Sequence, residues 1–447
     1  MSVRPRRQFA AICAAVAVSL QATVHAQEAP STTVAQQFIS AERGLSLTQL
    51  VATALERSPM VLAARARVEA ARGERLQSEV RPNPGLISDF REQIGGTDRQ
   101  AMVGLSWPLD LFRKAGRTDV ANSGVEMADN ELRNTERLLA AAVRSKTLQL
   151  TAAIRQLTVR EQVAHTLAQL RELVAARAES GAAPALERDM ADVDARRAAA
   201  EVLRQRAVAE ATLSELKALL GLQPGESLLL RDDLEQLSKV AELSEARQIS
   251  ATAPQTTGER ADVQLADAQI RAAAANLSLI RLSAKPDVTL NTSYTRMSSG
   301  FPLFGLTASG APAPIHDVFH SVSIGAMVTL PFRDQRHGDL GAAAARVTAA
   351  LRGAEATRLT ANAEVAAARS RTERLGEALA LYSGGLRDLA VKNVEVMRGS
   401  YQLGRATLLD VLSETRRLLE TEMAYTDLLL ETLQARSDLA TAMGVIR

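Results

Sequence analysis

Three local signatures recur along the chain at one fixed spacing. Trp107-Pro108-Leu109 returns as Leu330-Pro331-Phe332, Ser180-Gly181 as Leu403-Gly404, and Gly221-Leu222 as Gly444-Val445. Pro108 and Pro331, Gly181 and Gly404, and Gly221 and Gly444 are each separated by 223 positions. A register held over so long a stretch means two copies of one structural unit. Repeats of this kind decide a fold before any short motif does.

A chain of 447 residues could make two or three ordinary globular domains, but only 3% of it is aromatic. A thick core leans on large aromatic side chains, whereas a wall one helix deep does not need them. The formal net charge of +2 excludes the strong positive field of a nucleic-acid binder.

Residues 1–26 read as a secretory signal. Arg4, Arg6 and Arg7 precede an apolar run from Phe9 to Leu20, and Val24-His25-Ala26 offers small residues for cleavage before Gln27. The one cysteine, Cys13, falls in that segment behind Ile12, so it is expected to be discarded without lipidation or disulfide chemistry. Beyond the signal no run of about 18 apolar residues occurs, and no transmembrane helix is expected. An exported chain of this kind is secreted, periplasmic, or inserted as β-strands.

Proline is missing between Pro108 and Pro184 and again after Pro331. These stretches are rich in Ala, Leu, Glu, Arg and Gln, which favour helix. A helix from Leu111 to Glu179 would be on the order of 100 Å long at 1.5 Å per residue. Leu375, Leu379, Tyr382, Leu386, Leu389, Asn393 and Val396 step alternately by four and three. Leu408, Val411, Thr415, Leu418, Glu422, Tyr425 and Leu429 do likewise, and Val163, Leu167, Leu170 and Val174 keep the rhythm in the first copy. This 3.5-residue period marks a supercoiled seam. Gly181 and Gly404 mark sharp reversals.

The expected plan is a domain order of signal (1–26), N-terminal extension (27–46), repeat 1 (47–221), equatorial connector (222–258) and repeat 2 (259–447). In repeat 1 a half-length helix, Leu47 to Val80, and a return helix, Pro184 to Leu220, stack end to end beside the long one. Repeat 2 uses Ala261–Ala284, Asp334–Tyr401 and Ala406–Ala442 in the same way. Each copy places two strands before its long helix, at about 84–107 and 287–330. Val318, His320, Val322, Ile324, Ala326, Val328 and Leu330 alternate with Phe319, Ser321, Ser323, Gly325, Met327 and Thr329. Val288, Leu290, Thr292 and Tyr294 alternate with their neighbours too, as do Ala101, Val103, Leu105 and Trp107, while Gly85 to Glu92 alternates poorly. One apolar and one polar face over about ten residues suits a lipid-facing, water-lined barrel strand. Loops at Gly95-Gly96 and Ser298–Pro314 would face outward.

Four strands cannot close a barrel, and unpaired backbone at an edge costs several kcal/mol per group in hydrocarbon. Two chains would supply eight strands with a filled interior; three would supply twelve and leave a bore.

The chain resembles the outer membrane factor family, the TolC-type efflux channels. The resemblance spans the whole mature sequence. It rests on the doubled layout, on Pro82-Asn83-Pro84 with its partner Lys285-Pro286-Asp287, and on the strand ends Trp107-Pro108 and Leu330-Pro331. The most specific part is Tyr401-Gln402-Leu403-Gly404-Arg405-Ala406-Thr407-Leu408-Leu409-Asp410-Val411-Leu412, echoed by Ala178 to Met190 with Glu187 at the place of Asp410. The resemblance implies a mainly α fold with a transmembrane β-barrel portion: a homotrimer with a 12-strand barrel in the cell outer membrane and an α-helical barrel across the periplasm. It implies a periplasmic adaptor docked on the tip around Gly181, Gly404 and Arg405, an inner-membrane pump, and passive export in an efflux or type I secretion system. It also implies an entrance ring of aspartates. One family position falls on Asp410; a second falls on Ser413, with Glu414 beside it, so the ring departs from the family pattern here.

Three Asp410 carboxylates gathered on a threefold axis would disfavour one another's ionisation and attract cations. The plainer reading is a solvated carboxylate paired with Arg405 or Arg416. Glu187 is a second entrance candidate. His316 and His320 have a helical metal-ligand spacing but lie in a Pro-rich approach to a strand, which favours surface residues over a metal site. Trp107 reads as an interfacial anchor, with Pro108, Leu330 and Pro331 at the same membrane boundary. No catalytic grouping, phosphate loop or cofactor motif is evident. The competing readings are a periplasmic coiled-coil adaptor, which would carry one hairpin, and a structural coiled-coil protein, which would lack the repeat register.

Overall fold

The computed structural model describes residues 37–239 and 260–444. The expected signal, Cys13, residues 27–36 of the extension and residues 240–258 of the connector lie outside the described residues. Within them the chain runs α1 (Leu47–Arg57), α2 (Pro59–Ser78), β1 (Gly85–Glu92), β2 (Arg99–Pro108), α3 (Arg113–Glu179), α4 (Ala185–Leu220), α5 (Ala261–Ser283), β3 (Asp287–Leu306) and β4 (Pro312–Thr329). It continues through α6 (His337–Leu381), a π-helical turn (Tyr382–Leu386), α7 (Arg387–Gln402) and α8 (Leu408–Ala442). Among the described residues no helix is long and apolar enough to cross a membrane.

The repeat is visible in backbone hydrogen bonds. At the first tip Gly181 N–H donates to the Ala178 carbonyl and Ala182 N–H to Arg177; at the second, Gly404 N–H donates to Tyr401 and Arg405 N–H to Ser400. Each partner sits 223 positions from its echo. Gly181 and Gly404 have φ of 74° and 71°, the left-handed cap that glycine adopts without a side-chain penalty.

The half-length helices stack as expected, with one correction. The segment Leu47–Val80 is two helices, because Pro59 has no N–H to continue the ladder and instead begins α2. Ser46 and Gln49 start α1 as a reciprocal capping box. The end of α4 abuts the α1–α2 junction at Gly221, where a Cβ would lie 2.7 Å from the Arg57 carbonyl oxygen. In the second copy Arg260 joins the stacked ends: it donates to the Ala442 carbonyl at 3.3 Å and pairs with Asp262 at 2.6 Å and Glu364 at 2.7 Å. Burial raises the Asp262 pKa, but the Arg260 bonds and neighbouring guanidiniums outweigh that and hold the carboxyl below its ordinary range.

Apolar packing is divided along the wall. One cluster joins α1, α2, α3 and α4 through Leu50, Ala54, Val61, Leu139, Leu150, Ile154, Leu157, Leu216 and Leu220. Phe38 and Leu230 close it from the extension and the connector, where Leu230 N–H donates to the Phe38 carbonyl. A second cluster joins α3, the connector and α8 through Leu148, Leu234, Tyr425, Leu429 and Leu433. The third lies at the tip.

The second long helix departs from expectation at Tyr382–Leu386, where the π turn inserts one residue into the helical register. Before it, Leu375, Leu379 and Tyr382 lie on the seam. After it Leu386, Leu389, Asn393 and Val396 turn outward, and Arg387, Ala390, Val394 and Met397 take the inward side. The facing seam of α8, from Leu408 to Leu429, is as expected.

The four strands form one antiparallel sheet in the order β1-β2-β3-β4. Cross-strand register carries Leu86 opposite Leu105, Leu105 opposite Thr292 and Thr292 opposite Ile324; one row along, Val103, Tyr294 and Val322 align. Leu86, Phe90, Val103, Leu105, Trp107, Leu290, Tyr294, Val322, Ile324 and Val328 thus share one face. Asp89, Gln100, Gly104, Asn291, Ser293, Thr295, Ser321 and Ser323 share the other. Val322 and Ile324 are 73% and 79% exposed in the single chain. β1, whose alternation is weak in sequence, joins the pattern through Leu86 and Phe90. The expected loop 298–314 is mostly strand: β3 has 20 residues and β4 18, against 8 and 10 in the first hairpin, and the turn shrinks to 307–311. His316 and His320 therefore lie within β4 and not in a loop.

Candidate channel entrance at the helical tip

At the end of the molecule remote from the sheet, the two hairpin tips pack on each other. Leu170, Val174, Ala191, Tyr401, Leu408, Val411 and Leu412 form a closed apolar cluster there. Tyr401, 2% exposed, joins the hairpins with polar bonds as well. Its hydroxyl donates to Glu187 Oε2 at 3.1 Å, its carbonyl accepts from Arg177 at 2.9 Å, and the Arg177 guanidinium lies 4.7 Å from its ring centroid. Burial, and then the bond to Glu187, raise the Tyr401 pKa, so the phenol remains a donor well into alkaline solution. The sequence motif contains Tyr401, but its partners come from the other repeat and no local pattern names them. The readable sign is an aromatic residue with a polar end on a helix seam.

Asp410 is exposed at the third position of α8. Its carboxylate accepts from the Thr407 hydroxyl at 2.7 Å and the Thr407 N–H at 2.9 Å, while the Thr407 hydroxyl accepts from Asp410 N–H at 3.3 Å. This capping box starts the helix. The Thr407 hydroxyl first, and then its backbone N–H, hold the Asp410 pKa below the usual carboxylate range. The pairing with Arg405 or Arg416 is not what forms: Arg416 pairs with Asp194 on α4 at 3.1 Å. Ser413 is exposed and carries no charge; Glu414 is turned along its helix to Arg417 at 2.7 Å. Glu187, at the start of α4, points to Tyr401. Gly181, Gly404 and exposed Arg405 lie at the turns themselves. Above them a cavity of about 120 Å³ separates the hairpins, floored by Val163, Leu167, Leu412 and Leu419.

The other predicted residues lie at the opposite end of α3. Trp107 sits on the apolar sheet face opposite Leu290, and Pro108 ends β2 opposite Thr289. Leu330 and Pro331 follow β4 directly. Arg117 reaches Asp110 and donates to the Val80 carbonyl at 3.2 Å, and Arg113 pairs with Asp287 at 3.3 Å, fixing strands to helices at this level.

Midway between these ends, Glu422 is 8% exposed between two guanidiniums, Arg387 at 2.8 Å and Arg155 at 3.3 Å. Arg155 also pairs with Glu235 of the connector at 2.9 Å, and both arginines lie against the Tyr425 ring. The polar seam position seen in sequence is therefore a charge node tying α3, α8, the connector and the end of the π turn together. Among the described residues no cluster of His, Cys, Asp and Glu could hold a metal ion.

The architecture has known counterparts. The chain is similar to VceC from Vibrio cholerae, with 21% identity and a TM-score of 0.67 over 89% of this chain and 96% of that one. It is similar to a membrane protein from Pseudomonas aeruginosa, with 24% identity and a TM-score of 0.69 over 91% of each. It is also similar to the open state of the MtrE outer membrane channel of Neisseria gonorrhoeae, with 20% identity and a TM-score of 0.66 over 89% and 88%. No curated protein sequence gives a match. The family profile of outer membrane efflux proteins matches residues 50–222 and 253–445, one segment in each repeat. The chain belongs to the outer membrane efflux protein family, whose place is the cell outer membrane.

Proposed function

We propose that three copies of this chain pool their strands into one 12-strand barrel and their hairpins into a periplasmic helical tunnel. The assembly is a passive, non-enzymatic outer-membrane channel of a tripartite efflux or type I secretion system. A periplasmic adaptor docks around Gly181, Gly404 and Arg405, and an inner-membrane pump supplies the energy. Its other contacts are outer-membrane lipid; nucleic acid has no part in it.

The observation that carries this reading is the sheet. It has one mainly apolar face, one mainly polar face that also carries Ile87, Phe319 and Met327, and two open edges, and among the described residues it is joined to helices that carry no membrane-spanning segment. Open edges in hydrocarbon cost several kcal/mol per unpaired group, so neighbours must cover β1 and β4. A periplasmic adaptor or a coiled-coil structural protein has no use for such a face. Outward-turned Leu386, Leu389 and Val396 on the second hairpin, and Leu186, Val193 and Leu203 on α4, supply apolar surface for the same neighbours.

At the tip, Asp410 and Glu187 are the entrance carboxylates. Asp410 is exposed and able to meet its symmetry copies, while Glu187 is held by Tyr401 as a latch between hairpins. Ser413 leaves the ring with one charge fewer per chain than the family pattern. Trp107, Pro108, Leu330 and Pro331 mark the periplasmic boundary of the outer membrane. Planar-bilayer recording tests the assignment. Asp410→Asn is expected to weaken block by divalent cations, and Tyr401→Phe to raise conductance by releasing the latch while keeping the ring. Block and conductance unchanged in both variants would remove the gate from these residues.

A further inference from the structure

The hairpin turns of the sheet point away from the helices, so in an outer-membrane channel they mark the outer leaflet. The lipid-facing side of the sheet is apolar from Trp107, Leu290 and Val328 up to Val322 and Tyr294, and the next row places Arg296 and His320 beside Ala101 and Phe90. Arg296 stands directly opposite His320 on β4 and opposite Ala101 on β2. One row further out Arg99 faces Ser298 and is neutralised by Glu92 at 2.9 Å. Arg296 is exposed, and among the described residues no carboxylate lies within ion-pair distance of it.

His320 is oriented from below. The Tyr294 hydroxyl is 2.6 Å from His320 Nδ1, and the two rings stack with centroids 5.9 Å apart. With the hydroxyl as donor, the ring proton resides on Nε2, on the side away from Tyr294. A guanidinium and an imidazole thus sit on adjacent strands of the lipid-facing side.

We propose that Arg296 and His320 bind a phosphate group of a lipid headgroup in the outer leaflet, a site that rests on the channel reading and its orientation in the membrane. The guanidinium fork matches phosphate oxygens in geometry and charge. The apolar rows beneath, Val322, Ile324 and Tyr294, would hold the acyl chains of the same molecule. That continuity favours a lipid over free phosphate.

The test uses the intact protein purified from outer membranes in mild detergent, with bound lipid counted by native mass spectrometry. The probes are bis-phosphorylated lipid A, the same lipid enzymatically dephosphorylated, and inorganic phosphate. Wild-type protein is expected to retain the phosphorylated lipid and to release the dephosphorylated one. The double variant Arg296→Gln/His320→Gln is expected to lose about tenfold or more in retention, the scale of losing two charge-assisted hydrogen bonds. Arg91→Gln, on the bore-facing side of β1, should retain lipid as wild type does. Equal retention by the double variant, or equal binding of the dephosphorylated lipid, overturns the site. Inorganic phosphate that binds the delipidated protein at Arg296 and His320 as tightly as the phosphorylated lipid does overturns the lipid as its ligand. A protein that emerges monomeric and soluble without detergent indicts the channel reading itself, whereas a trimer with unchanged lipid retention indicts only this site.

Discussion

Asp410 and Thr407 show how one short contact starts a helix and sets the charge of the carboxylate proposed for the entrance. The carboxylate closes the capping box of α8, and the two bonds from Thr407 depress its pKa. A depressed folded-state pKa contributes stability that is present above the unfolded carboxylate value and is lost as pH falls through the folded one. Convergence of three copies would push the other way. Divalent block should therefore titrate away only in the acid range, and Thr407→Ala should move its midpoint to higher pH. Bilayer recordings across pH measure this directly; an unmoved midpoint would mean that Thr407 does not set the charge at the entrance. At this scale the α8 seam is legible in the sequence, since Leu408, Val411, Thr415, Glu422, Tyr425 and Leu429 are buried and Leu418 half-buried, as their spacing predicts. Glu422 is readable as a polar seam residue, but its guanidinium partners are not. Arg155 comes from the other repeat and Arg387 from beyond the π turn, and no local period carries such pairings.

Among the elements, helices and turns follow from proline, glycine and the 3.5-residue period, while the π turn is hidden. Leu386, Leu389 and Val396 continue the four-three rhythm without a break, so the pattern itself argues for an unbroken seam. The sign of interruption is Gly384-Gly385, where Gly385 has φ of 105°. One inserted residue rotates all that comes after it by about 100°, which brings Val394, Met397 and Tyr401 to the inner side. Deleting Gly385 should restore the α register, swing Tyr401 away from Glu187 and open the tip. The expected result is a melting temperature several degrees lower, on the scale of about 2 °C or more per kcal/mol, with new protease cleavage near residues 400–405. A melt and digest like those of wild type would show that the turn does not set the tip register. The strands are legible in type but not in length. Beyond Ser298 glycine and proline break the alternation, and pairing between β3 and β4 sustains the ribbon through an irregularity at Phe301–Phe304.

The apolar clusters are small and strung along a wall one layer thick, so a single chain leaves much of its apolar sheet face and outer helix stripes uncovered. Lipid and further copies are what this surface fits. The doubled sequence gives each copy its strand pair and hairpin, and the mismatch between an 8-residue β1 and an 18-residue β4 limits where neighbours can pair.

A closed barrel requires β4 of one chain to pair with β1 of the next until three complete a ring. Site-directed crosslinking reaches this pairing, because the sequence holds one cysteine, Cys13, within the expected signal. Asp89→Cys on the bore side of β1 would be combined in turn with Ser321→Cys, Ser323→Cys and Gly325→Cys on the bore side of β4, and outer membranes oxidised in place. A three-chain barrel should give, for at least one pair, a covalent ladder of dimer and trimer that stops at three. A ladder that ends at two or runs past three, or chains that stay monomeric in every combination, would rule that barrel out.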